Sequence, residues 1–94
     1  MKQVFAVYDS KAEFFADPMF FRTIGEALRS WETAAADQSM DLHKYPGDFS
    51  LFHIGTYDIN TSVLELLPNG KVNYGTALEA LPSFTPTLEA NANS

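Results

Sequence analysis

The chain has 94 residues, with 6 Lys+Arg against 12 Asp+Glu, a formal net charge of −6 and a pI of about 4.6. That length fits one domain, and a hydrophobic content of 46% excludes a chain that is disordered throughout. The absence of cysteine excludes disulfides, thiolate zinc sites and cysteine nucleophiles. Met1–Asp9 has a single Lys and no long apolar run, which argues against a signal peptide. No stretch approaches the roughly 20 apolar residues of a membrane span.

Residues 3–9, Gln-Val-Phe-Ala-Val-Tyr-Asp, are β-branched and aromatic on both alternating faces, which predicts a strand central in its sheet. Asp9-Ser10 open a loop, because both side chains favour local backbone hydrogen bonds. Residues 11–22 place Phe14, Phe15, Phe20 and Phe21 around Pro18. Proline forbids a regular helix there and drives Asp17 extended, so this stretch reads as irregular or briefly extended.

Thr23-Ile-Gly-Glu26 has the capping-box pattern and opens a helix. Ile24, Ala27, Leu28, Trp31 and Ala35 follow as one apolar stripe at helical spacing, with Trp31 expected in the core. Glu26 and Arg29 are placed to pair at i, i+3, and the helix is expected to end near 37–39. A connection over 40–48 closes in a Tyr-Pro-Gly-Asp turn.

Phe49–Tyr57 reads as the second long strand, with Phe49, Leu51, His53, Gly55 and Tyr57 alternating onto one face and Ser50, Phe52, Ile54 and Thr56 onto the other. A hairpin loop over 58–62 leads to a strand at 63–67, and Pro68-Asn-Gly70 turns into a further short strand at 71–74. Residues 76–81 suit one or two helical turns before Pro82. The end of the chain, 83–94, reads as disordered. The sum is a single α+β domain over 1–75, β-α-β-β(-β), with one helix packed on a small mainly antiparallel sheet, and a tail over 76–94.

Catalytic chemistry finds little support. His43 lies in a polar connection and reads as solvated. His53 lies mid-strand and reads as a satisfied sheet histidine rather than a base. Asp9, Asp48 and Asp58 stand at strand ends, where Asp is usually a turn residue. Asp58-Ile-Asn60-Thr-Ser62 has the Asp/Asn alternation of a calcium loop, but Val63 stands where that loop needs glycine. No phosphate-binding glycine motif occurs. The reading is therefore a non-enzyme with no metal and no cofactor.

Four of the eight Phe lie in 14–21, and basic residues concentrate beside them. Lys2, Tyr8, Lys11, Phe14, Phe15, Phe20, Phe21, Arg22 and Arg29 form a candidate nucleic-acid-binding patch, since single-strand binders stack bases on exposed aromatics. The charge of −6 opposes a polyanion at long range. Packing of the Phe cluster in the core or in a subunit interface is the competing reading, and one small core does not readily bury all four rings, which points to a homo-oligomer.

Three blocks stand in order: Val4-Phe-Ala-Val-Tyr-Asp-Ser-Lys-Ala-Glu-Phe-Phe15, Pro18-Met-Phe-Phe-Arg-Thr-Ile-Gly-Glu-Ala-Leu-Arg-Ser-Trp31, and Lys44-Tyr-Pro-Gly-Asp-Phe-Ser-Leu-Phe-His-Ile-Gly-Thr-Tyr-Asp58. This arrangement, across residues 3–67, resembles the small nonstructural protein of gokushovirus-type microviruses, tailless phages with single-stranded DNA genomes. Members of that family often carry Thr-Gly where this chain has Thr61-Ser62. The resemblance implies a role in phage single-stranded DNA replication in the bacterial cytoplasm, and it carries over no catalytic residue. Two functions follow as expectations. One is an accessory protein that binds single-stranded DNA through the basic-aromatic patch. The other is an acidic module that engages a phage or host replication initiator, or another basic partner, and self-associates through its Phe cluster.

Overall fold

The computed structural model describes residues 1–81. The expectations for 83–94 lie outside the described residues. Two long antiparallel strands, β1 (Lys2–Asp9) and β4 (Phe49–Tyr57), form the centre of a six-stranded sheet. Each is flanked by an edge strand broken in two. Short β2 (Phe14–Phe15) and β3 (Met19–Phe21) pair with β1, and β5 (Leu64–Leu66) and β6 (Val72–Thr76) pair with β4. Pro18 causes the first break, because it has no N–H to give to the ladder. Ala16 still donates its amide to the Val7 carbonyl at 2.8 Å, so the irregular stretch expected here is an interrupted edge strand. Pro68-Asn-Gly70 interrupts the opposite edge, with Leu67 N–H reaching the Ile54 carbonyl just before it.

Helix α1 (Ile24–Ala36) covers one face of the sheet. Thr23 caps it by accepting from the Glu26 amide. The reciprocal half of the capping box is absent: Glu26 accepts instead from the Arg22 amide at 2.9 Å and from its guanidinium at 2.7 Å. The expected Glu26–Arg29 pair is thereby replaced by Arg22–Glu26. The Arg22 amide and side chain hold the Glu26 carboxylate below its ordinary pKa.

Ala27, Trp31 and Ala35 bury the helix stripe against Phe5 and Leu51, with Val7, Met19 and Phe21 alongside. Each fully buried Leu or Phe contributes about 1.5–3 kcal/mol of transfer free energy, so Phe5 and Leu51, both essentially inaccessible, anchor the core. Residues 41–48 form a short helix α2 (Asp41–Lys44) and a 3₁₀ turn rather than a plain connection, and Leu42 of α2 reaches the core. His43, expected in solvent, is half-buried. Its Nδ1 lies 3.0 Å from the Ala35 carbonyl and ties this segment to the end of α1. Helix α3 (Ala77–Ala80) has a complete Thr76/Glu79 capping box, and its Ala77 is fully buried in the same core. No helix among the described residues is long and apolar enough to cross a membrane.

One irregularity controls the sheet. Val4 pairs with Gly55 but Phe5 pairs with His53, so Ile54 is an extra residue in β4. A bulge of this kind reverses side-chain alternation beyond it. Tyr57, expected on the face of His53, therefore lies on the opposite face. It packs there edge-on against Phe20, with ring centroids 5.4 Å apart. Gly55 serves the same bulge. A Cβ there would lie 2.2 Å from the Glu65 carbonyl oxygen, so β5 can approach only a glycine.

Candidate functional site

Among the described residues, no helix covers the face of the sheet away from α1. Val4 and Ala6 form its floor, each about 3% exposed beneath larger neighbours. Tyr8 and Phe15 are cross-strand partners, and their rings lie 4.7 Å apart. Phe15 also meets Phe52 at 5.4 Å, nearly perpendicular. Lys71, in the turn before β6, places its Nζ 5.7 Å from the Phe15 centroid, within cation–π range. Phe20 and Tyr57 form a second aromatic pair on the far side of Val4. Between the two groups lies an open hollow of about 460 Å³, bounded by Phe15, Pro18, Ile54, Leu66 and Lys71. The small side chain of Ala6 at the centre leaves this space.

The structure divides the nine residues expected to act together. Tyr8, Phe15 and Phe20 share the open face, and Lys2 stands opposite Tyr57 in the register at its end. Phe21 belongs to the other face, half-buried edge-on against Phe5 in the core. Phe14 also lies on the helix side, beside a groove next to Trp31. The physical reason is strand alternation: adjacent Phe residues in β2 and in β3 must point to opposite faces. Lys11 lies by Asp9, Asp41 and Asp48 at the end of the sheet. Arg22 is held by Glu26, and Arg29 projects from the exposed side of α1.

Three residues of the open face were not singled out from the sequence. Phe52 was foreseeable from its place opposite Leu51 and His53 in the alternation. Tyr57 was hidden by the bulge, and Lys71 by its distance along the chain from the Phe cluster.

The candidate acid–base groups occupy structural roles. His53 is buried, stacked on Phe5 at 4.7 Å, with Nε2 3.1 Å from the Gly55 carbonyl. Asp9 Oδ1 accepts from the Lys11 and Ala12 amides, and Asp58 Oδ1 from the Asn60 amide, as turn residues do. In the 58–62 loop Ser62 adopts φ 61°, the left-handed conformation that glycine favours, so serine fits the same turn at some strain. Among the described residues no group of three or more His, Cys, Asp or Glu is placed to hold a metal ion.

No curated protein and no solved structure matches the chain. The model of one family, Phage ORF5 protein, matches residues 2–79, which span the whole sheet and both α1 and α2 and reach into α3. The chain belongs to the phage ORF5 protein family.

Proposed function

We propose that this phage protein is a non-enzymatic accessory factor of genome replication in the host cytoplasm, and that it binds single-stranded DNA across the open face of its sheet. One observation carries the reading: the Tyr8–Phe15–Phe52 cluster, with Lys71 set over Phe15, borders a hollow at the centre of the sheet face that no helix covers among the described residues. Bases stack on such rings for about 1–3 kcal/mol each, whatever their sequence. Lys71 and Lys2 supply local positive charge to a chain that is acidic as a whole. The Phe20–Tyr57 pair gives the strand a second stacking station along β1. The test is fluorescence anisotropy of a labelled oligo-dT at low and at moderate salt. Saturable binding that weakens with salt supports the reading, because each neutralised phosphate contributes about −0.7 to the log–log slope. No binding even at low salt overturns it.

A second reading rests on the apolar rim of the same face. Leu64 and Leu66 of the edge strand β5 are 62% and 82% exposed, beside Phe20. Large exposed apolar residues on an edge strand favour association, here as a homo-oligomer. Sedimentation equilibrium over a range of protein concentration tests this reading, and a monomer mass at every concentration refutes it.

A further inference from the structure

The opposite side of the sheet carries a separate concavity. A groove of about 450 Å³ runs between α1 and the broken edge strand, lined by Phe14, Met19, Trp31, Ala34, Met40 and Leu51. Its size falls within the range of sites that enclose ligand groups. Its walls are apolar, but its end is not. Asp9 and Asp41 stand at the rim and also line an adjoining hollow with Asp48. Among the described residues, Lys11 is the one cation lining that hollow. Among the described residues the single ion pair is Arg22–Glu26, so none of these three carboxylates is paired. Trp31 adds a further feature. It lines the groove, and its Nε1–H is the one buried side-chain donor without a partner among the described residues.

We propose that this groove docks a basic, apolar peptide segment of a partner protein. Aliphatic or aromatic side chains of the segment would fill the trough, and its Lys or Arg residues would meet Asp9, Asp41 and Asp48. Charge selects this occupant. Carboxylates at the groove end repel nucleic acid, and a second copy of a chain with net charge −6 brings more acid than base. The groove and the open face lie on opposite sides of the sheet and share only Ala16, at the broken edge strand, so the two proposals can be tested separately.

Trp31 is the only Trp in the chain, so its emission reports on the groove. The full chain is titrated with three synthetic peptides of equal length: Lys/Leu, all-Lys and Glu/Leu. The expected result is a saturable change in emission with Lys/Leu, and binding weaker by more than about tenfold for the other two. Ser30→Lys adds a cation at an exposed position of α1 on the groove lip, where the fold is not disturbed. It should weaken Lys/Leu binding by more than about tenfold. Asp41→Asn should weaken it less, and Lys71→Glu on the other face should leave it unchanged. Phe14→Ala, at a side chain already 55% exposed, provides an uncharged second variant and should also weaken binding. The proposal is overturned by no saturable response to Lys/Leu, by an equal response to all-Lys, or by wild-type binding in folded Ser30→Lys and Phe14→Ala.

Discussion

Replacing Phe15 by Ala separates the proposed role of the open face from its contribution to stability. Phe15 is 41% exposed in a two-residue edge strand and touches Tyr8 and Phe52. Losing two aromatic pairs at about 0.5–1.5 kcal/mol each costs about 1–3 kcal/mol. A domain of this size has about 5–15 kcal/mol to lose, so the variant should remain folded at 25 °C. The same ring is expected to supply one base-stacking contact worth about 1–3 kcal/mol, so Kd for oligo-dT should rise about 5- to 150-fold. Phe15→Tyr keeps the ring and should bind within about threefold of the wild type. Anisotropy at several salt concentrations gives a further signature. Phe15→Ala should shift the affinity with an unchanged salt slope, whereas Lys71→Gln should reduce the slope by about 0.7. Circular dichroism establishes that each variant is folded. Wild-type affinity in a folded Phe15→Ala protein would refute the stacking argument.

Three further outcomes test the fold. Gly55→Ala forces a methyl group against the Glu65 carbonyl and should cost about 1–3 kcal/mol in denaturant unfolding, with protection from hydrogen exchange lost first in β5. Thr23→Ala removes the cap of α1 and should cost about 1 kcal/mol, or about 4–8 °C in Tm by thermal melting. Glu26 has a folded pKa below its ordinary 4.5, so its ionised form favours the native state. That contribution is present above pH 4.5 and is lost as pH falls through the lowered folded value. The pair is exposed, so the effect should be small: Glu26→Gln should melt slightly below the wild type at pH 7, with the two curves converging in acid. A difference that persists at the acid end would assign the effect to helix packing rather than to charge.

Much of the chain was legible from local chemistry. Pro18 marked an irregular segment and Pro68-Asn-Gly70 a turn, because a missing N–H or a left-handed turn acts wherever the residue stands. Thr23 and the Ile24–Ala35 stripe defined α1, since capping and helical periodicity depend on near neighbours only. Phe49–Tyr57 and the returning hairpin followed from alternation bounded by turns. The Phe-rich segment was visible as an aromatic cluster beside basic residues.

Its partition was not visible. Whether Phe14 or Phe15 faces the helix depends on the register of β2 against β1, and register is a property of two strands rather than one. The place of Tyr57 depends on the bulge at Ile54, which shows only in the pairing of β4 with β1, and Gly55 beside it admits the Glu65 carbonyl from a strand ten residues away. Lys71 joins Phe15 only once β6 has paired with β4 on the far side of the hollow. The acidic end of the groove likewise assembles from the end of β1, the start of α2 and the 3₁₀ turn. The sequence by itself determined α1, the two long strands with the returning hairpin, the α+β class and the residues rich in chemistry. Tertiary pairing decided which of those residues share a surface, because it alone sets the side of the sheet each side chain takes.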